Sequence, residues 1–171
     1  MVAKVWPLAK IVNAQALTHE NLHIIDDFAF IDCAGGLHIG RYVHIAGHSC
    51  IVGGGGCTLG DFSSVAWGAR ILTGNDDFSG ATLVNPTVPA KYRGVRRAPV
   101  NIGRHAIVST NSIVLPNVTL HEGAILAANS LAKTDIPAWE IWGGTPARKI
   151  GERKRDLLEL EAKLTACEHT S

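Results

Sequence analysis

The sequence predicts an all-β protein: a parallel β-solenoid of about five coils with one long protruding loop and a C-terminal α-helix. Two observations carry this. First, Ile102 to Leu131 reads in sixes, IGRHAI, VSTNSI, VLPNVT, LHEGAI, LAANSL, with an aliphatic residue opening each block and a small one in fifth place. A period of six is neither the helical repeat nor the alternation of a single strand. It suits a solenoid in which each block forms one flat face, and three blocks close a triangular turn. Second, the same rhythm runs from Ile25 through Ile31, Ile39, Ile45, Ile51, Leu59, Val65 and Ile71. With Ala132 that makes 14 opening positions, of which 13 hold Ile, Leu or Val, although only 43 of the 171 residues are of these types.

Taken in order, residues 1–24 are poorly patterned and read as an N-terminal cap over the apolar end of the solenoid. Residues 25–150 form the prism. Two extra residues fall at Leu37–His38 and two more at Cys57–Thr58, so successive coils begin at Ile39 and Leu59. The rhythm then stops at Asp76 and returns at Ile102, so the interruptions share one corner of the triangle and the third is a protruding loop, 77–101. A loop this long in a compact repeat is usually functional or disordered, and its prolines Pro86, Pro89 and Pro99 favour a defined path. Pro137, Gly143–Gly144 and Pro146 lead the chain out of the repeat. Residues 151–171 then read as a helix and tail, with the helix from about Glu152 to Cys167 and Leu157, Leu160 and Leu164 on one face.

Composition narrows the function classes. Sixteen Lys and Arg against 15 Asp and Glu give no strong attraction to nucleic acid or another polyanion. Cys33, Cys50, Cys57 and Cys167 lack a metal-binding spacing and read as free thiols of a reduced compartment. Pro7 and Lys10 break the N-terminal apolar stretch, against a signal peptide, and no apolar run approaches the length that spans a bilayer. A soluble, cytoplasmic protein without membrane insertion is the expectation.

The hexapeptide blocks followed by AKTDIPAWEIWGGTPARKI resemble the left-handed β-helix acyltransferases, the group containing galactoside, maltose and serine acetyltransferases. The segments ILTGNDDFSG and NPTVPAKY further resemble members acting on sugars in bacterial surface-polysaccharide pathways. The resemblance implies a left-handed coil, a homotrimer of parallel prisms and active sites in the clefts between subunits. It implies acetyl-CoA as co-substrate along the lower coils, no metal, and a sugar acceptor, nucleotide-linked or simple, entering under the loop. It places CoA contacts at Thr110 and Ala128, where small residues let the pantetheine arm lie against the backbone. Lys133 and Thr134 follow in a KTD segment that reverses the usual order. Arg148 is the implied partner for a CoA phosphate, with Lys149 assisting.

The chemistry departs from the family pattern. Acyl transfer needs a group to take the proton from the attacking hydroxyl or amine. Galactoside-type members put a histidine on the loop just after a TG pair; here Thr73–Gly74 is followed by Asn75, Asp76 and Asp77, and no histidine stands between Asp76 and Asn101. Asp76 or Asp77 is therefore a candidate base or orienting group. His44 is a candidate base from a neighbouring subunit, paired with Asp76, and His48 is its reserve. Asn75, Ala46, His48, Tyr92 and Arg93 are candidate acceptor contacts. Lys91, Arg93, Arg96 and Arg97 offer cationic partners for a pyrophosphate, and Trp67, Phe78 and Tyr92 offer rings for a sugar or base. An amine acceptor needs no protein base, because its proton can pass to the departing thiolate.

Two other readings share the fold. A γ-type carbonic anhydrase needs three convergent histidines on a metal, and the spacing of His38, His44 and His48 does not suit that. A non-catalytic trimeric scaffold is the other.

Overall fold

The block-opening residues become the axis of the molecule. In the computed structural model, which describes residues 3–168, all 14 of them are at most 1 % exposed. The fifth-place residues Ala106, Ser112, Val118, Ala124 and Ser130 are buried too, at no more than 3 %. Large aliphatic groups fill the interior of the triangle, while small ones fit where the chain bends.

Three sheets make the faces of the prism. The first runs from Lys4–Val5 through His23–Ile25, Val43–Ile45, Ser64–Val65, Ile107–Val108 and Ile125–Leu126 to Glu140–Gly144, all parallel, and ends on the antiparallel strand Ala147–Glu152. The second stacks Lys10–Val12, Phe30–Asp32, Cys50–Val52, Arg70–Leu72, Ile113–Val114 and Leu131–Ala132. The third stacks Leu17–His19, Leu37–Ile39, Cys57–Leu59, Val100–Ile102 and Thr119–Leu120. There are about seven coils rather than five.

The difference lies at both ends. Residues 4–19 do not merely cap the prism: Lys4–Val5, Lys10–Val12 and Leu17–His19 are a first coil in register with the second. Val5 and Ile11 stand opposite the openers Ile25 and Ile31, so the spacing of six reaches back into this coil, and His19 opposite Ile39 interrupts it. At the other end, Glu140–Gly144 and Ala147–Glu152 form a hairpin, so the helix, α1, begins later than expected and spans Leu157–Glu168. The expected tail, 169–171, and residues 1–2 lie outside the described residues.

The interruptions do share one corner, but the extra residues sit one step earlier than expected. Leu37 and Cys57 are inward-facing strand residues, 2 % and 5 % exposed, in the register Leu17, Leu37, Cys57, Val100. The added length is in the corners Cys33–Gly36 and Val52–Gly56, where Gly53 has φ 124°. There the backbones of neighbouring coils approach so closely that a Cβ on Gly55 would stand 2.7 Å from the Ala98 carbonyl oxygen.

At the other two corners the fourth residue of each block is left-handed. Asn111 and Asn129 suit that conformation, whereas Phe28, Tyr42, His48, Phe62, His105 and Trp139 are held in it by the flanking sheets. The rings stack from coil to coil, Tyr42 on Phe62 at 4.7 Å and Phe62 on His105 at 4.9 Å. The C-terminal helix α1 lies over this ladder and is pinned by carboxylates. Glu161 reaches His105 at 2.7 Å and Arg104, and Glu168 reaches Arg41 at 2.6 Å and the Tyr42 hydroxyl. Leu160 and Leu164 stay exposed, so charge rather than apolar burial holds the helix.

Candidate active site

The protruding loop leaves and returns through a short two-stranded stalk in which Gly74 faces Arg97 and Asn75 faces Arg96. Thr73 anchors the stalk: its hydroxyl donates to the Val52 carbonyl at 3.1 Å and accepts the Gly55 N–H at 3.0 Å. Between the stalk and the corner Leu115–Asn117 below lies a cleft of about 440 Å³. Asn75, Asp76, Asp77, Phe78, Arg96 and Lys133 face it. Asn75, Asp76 and Asp77, the candidates for the acceptor side, thus meet in one place with Lys133, which the resemblance assigned to the cofactor.

The adjacent aspartates differ. Asp77 accepts the Ser79 N–H at 2.9 Å and the Thr82 hydroxyl at 3.1 Å. The Ser79 hydroxyl and N–H, then Thr82 and the charge of Arg96, hold its carboxyl down at about 2. A group so acidic is a poor proton acceptor near neutrality, and Asp77 serves as a staple at the root of the loop. The Asp76 carboxylate is half-buried, and no hydrogen bond or ion pair among the described residues engages it.

A second cluster stands at the corner between the first and second sheets. Trp6, Asp26, Asp27, Phe28 and Trp67 line an open pocket of about 320 Å³. The His48 ring stacks on Phe28 at 5.1 Å and meets Trp67 at 5.5 Å. His44 is on the strand beside it, with Nε2 2.9 Å from Asp26 Oδ2. The histidine expected to need Asp76 as an orienting partner therefore has one in its own chain. Directly below on the same corner, Asn111 donates its N–H to the Trp67 carbonyl at 2.9 Å and Asn129 to the Thr110 carbonyl at 2.9 Å. Thr110 and Ala128 are small and exposed there, which fits the demand of a chain-like ligand lying against the backbone.

Other expected contacts do not join either cluster. Ala46 is 2 % exposed, its methyl turned into the wall, so it offers an acceptor nothing. Tyr92 and Arg93 lie in the outer part of the loop, away from the cleft lining; Arg96 is the loop arginine that faces the cleft. Lys149 is held by Glu140 at 2.8 Å and Glu152 at 3.1 Å, which leaves Arg148 as the exposed cation of that hairpin with no carboxylate partner among the described residues. Thr134 is exposed next to Lys133 without lining the cleft. Asp26, Phe28 and Trp6 carry no signal in the sequence because their roles come from stacking between coils, and Arg96, one of four cations expected to meet a pyrophosphate, is singled out by the stalk pairing. A fixed offset of one coil, 20 residues from Ile24 to His44, would have aligned Asp26 with the next coil's Ala46 and its neighbours.

Among the described residues no three His, Cys, Asp or Glu side chains converge as a metal site. His38 lies on the third sheet, bonded to the Thr18 hydroxyl at 3.1 Å, and His44 is on the first, so within a chain they face apart. No described helix is long and apolar enough to cross a membrane.

Known proteins share this fold. The chain is 42 % identical over 139 residues to the dTDP-4-amino-4,6-dideoxy-D-glucose acyltransferase of Escherichia coli, covering 81 % of this chain and 72 % of that one. It belongs to the hexapeptide-repeat, left-handed β-helix acyltransferases. The fold of this acyltransferase superposes on a variant of AntD, an N-acyltransferase from Bacillus cereus in complex with dTDP-4-amino-4,6-dideoxyglucose and coenzyme A. The TM-score is 0.91 at 35 % identity, over 97 % of this chain and 90 % of AntD. AntD with dTDP and 3-hydroxybutyryl-CoA gives the same TM-score at 34 % identity, over 96 % and 87 %. PerB of Caulobacter crescentus, in complex with CoA and GDP-perosamine, shares the fold at TM-score 0.65 and 16 % identity, over 88 % and 58 %. No protein-family model matches the chain.

Proposed function

We propose that this acyltransferase moves an acetyl group from acetyl-CoA to the 4-amino group of a dTDP-linked 4-amino-4,6-dideoxy sugar. The unengaged carboxylate of Asp76, set in a cleft with Arg96 and Lys133, carries this reading. An anion flanked by cations suits an acceptor that has an amine at one end and a diphosphate at the other. The relatives support it: the Escherichia coli enzyme is named for that sugar, and AntD binds it together with coenzyme A.

In this mechanism Asp76 accepts an N–H of the uncharged amine and aims the nitrogen lone pair at the thioester carbonyl. The C–N bond forms, the C–S bond breaks, and the leaving thiolate takes the amine proton, giving an amide and free CoA. Positioning does most of the work, and stiff flat faces are suited to it. Thr110 and Ala128 would bed the pantetheine arm, with Arg148 toward the phosphates.

The working form in this proposal is a homotrimer in the cytoplasm, serving surface-polysaccharide synthesis. Its motive is the division of the site: Asp76 and Lys133 lie at one corner, Thr110 and Ala128 at another, and each half is open. Three-fold rotation brings unlike corners of neighbouring copies together and closes the ring. The 2.9 Å bond between His44 and Asp26 favours one variation, in which His44 of the neighbour is the base.

The test is incubation with acetyl-CoA and dTDP-4-amino-4,6-dideoxyglucose, following thiol release and the mass of the nucleotide sugar. Thiol release matched by gain of one acetyl group is expected. Absence of product from this acceptor, with turnover of a simple glycoside instead, would overturn the assignment. Light scattering giving a fully active monomer would overturn the trimer.

A further inference from the structure

We infer that the side-chain amide of Asn117 is the donor that receives the negative charge of the thioester oxygen during acyl transfer. This rests on the proposed trimer and the proposed use of acetyl-CoA, which leave that oxygen without an assigned partner.

The residue is held in place and its amide is unspent. Asn117 lies on the floor of the cleft beneath the loop, in the left-handed conformation at φ 65°. Its own N–H is tied to the Pro99 carbonyl at 3.0 Å, and Val118 beside it is buried. The side chain is exposed, and no hydrogen bond among the described residues engages it. Asp135 has the same fourth place one coil further down and spends its carboxylate on the Thr119 N–H at 2.8 Å. At Asn117 the corner holds without such a tie, which leaves two N–H donors at the cleft.

Height along the prism supplies the second line of argument. Ile71 pairs with Val114, so Asn117 is one rung below the stalk that carries Asp76, about 4.8 Å along the axis. Thr110 and Asn117 belong to one coil, on either side of the strand Ile113–Val114. A three-fold rotation about an axis parallel to the prisms preserves height. Thr110 of a neighbouring copy then comes level with Asn117, and Ala128 lies one rung lower. A pantetheine arm rising past Ala128 and Thr110 brings its thioester to the height between Asn117 and Asp76. Asn75 and Arg96 are on the stalk with Asp76, and Lys133 is a further rung down. Asn117 is the cleft donor at the level where the carbonyl oxygen arrives.

The chemistry calls for a donor on that side. As the amine attacks, the C–N bond forms and the carbonyl electron pair moves onto oxygen. When the oxyanion collapses, the C–S bond breaks and the thiolate takes the amine proton. The Asp76 carboxylate accepts from nitrogen but repels an oxyanion, so the charge has to be met from elsewhere. A neutral amide meets it without forming an ion pair with Asp76. Fixed in advance, it strengthens its bond as charge develops and costs no reorganisation.

Asn117→Gly tests this, because glycine keeps the left-handed turn and removes the amide. With acetyl-CoA and dTDP-4-amino-4,6-dideoxyglucose, kcat should fall about 10²- to 10³-fold, with both KM values within about threefold of the wild type. Free CoA has no acyl oxygen, so its affinity by calorimetry should stay within about twofold. Asn117→Asp also suits the turn, and by setting a carboxylate against the oxyanion it should lose at least as much as the glycine variant. Unchanged kcat in Asn117→Gly would show that the residue serves the turn alone, and the inference would fall. It would fall equally if CoA affinity dropped as far as kcat/KM in both variants, since Asn117 would then be a cofactor contact. If the wild type acetylates a simple glycoside instead and Asn117→Gly loses that turnover, the acceptor reading is wrong and the role of Asn117 stands. If the wild type transfers acetyl to neither, both are wrong.

Discussion

Asp77 accepts the backbone N–H of Ser79 at 2.9 Å, and this bond separates it in role from Asp76, its neighbour in sequence. One carboxylate shapes the loop and the other is left for the acceptor.

Substituting each should therefore give different kinetics. Asp76→Asn is expected to lower kcat/KM about 10- to 100-fold, the worth of one hydrogen bond to a charged group. Asp77→Asn should loosen the loop and raise the acceptor KM only a few-fold. Steady-state kinetics on both variants decide the matter; equal losses would show that the roles are not divided.

The loop staple has its own pH signature. The Asp77 carboxyl is depressed to about 2, so its contribution to loop order is fully present above the ordinary carboxylate range. It is lost as pH falls through about 2. Limited proteolysis in the loop should therefore stay slow on acidification to the ordinary carboxylate range and rise only below it.

His44 separates the two routes for the proton. With the thiolate as acceptor, His44→Ala should keep kcat within about tenfold of the wild type. A loss of about 10²-fold or more, shared by Asp26→Asn, would make the His44–Asp26 pair the base.

Detachment of α1 should also follow acid. Burial opposes ionisation of Glu161, but the hydrogen bonds from Arg104 and His105 prevail and hold it below the usual carboxylate range. Its contribution is present above the unfolded carboxylate value and fades as pH falls through the depressed one. Glu161→Gln should give the same loosening at neutral pH, read as faster amide exchange in Leu157–Glu168.

In the core, Ile45→Ala should destabilise by about 2–5 kcal/mol, because the axis is close-packed and cannot collapse around the gap. Cys57, its thiol pushed up to about 12 by burial and by Cys33 nearby, should resist alkylation at pH 8 until the protein unfolds.

How far the sequence speaks depends on whether a residue acts through its own coil or through its neighbours. Ile45 and Leu126 announce their burial, since one period places every inward side chain. The loop and its corner are equally plain, and Asp76 follows from counting sixes. Phe28, Trp67 and Asp26 do not announce themselves: their meaning arises only when coils of different length are laid over one another. Arg96 was hidden among four cations until the pairing with Asn75 turned it toward the cleft. The N-terminal coil is legible only in part: Val5 and Ile11 keep the spacing of six, but His19 stands opposite the opener Ile39 and breaks it.

The hairpin Glu140–Glu152 ends the first sheet by turning its last strand against the direction of all the others. A stack of parallel rungs left bare would offer its terminal backbone groups to the next molecule, and identical units would add end to end into fibres. Here the returning strand occupies that edge and presents Arg148 and Lys149 outward, and the second and third sheets finish on strands of only two residues. At this end of the prism, growth along the axis is closed off.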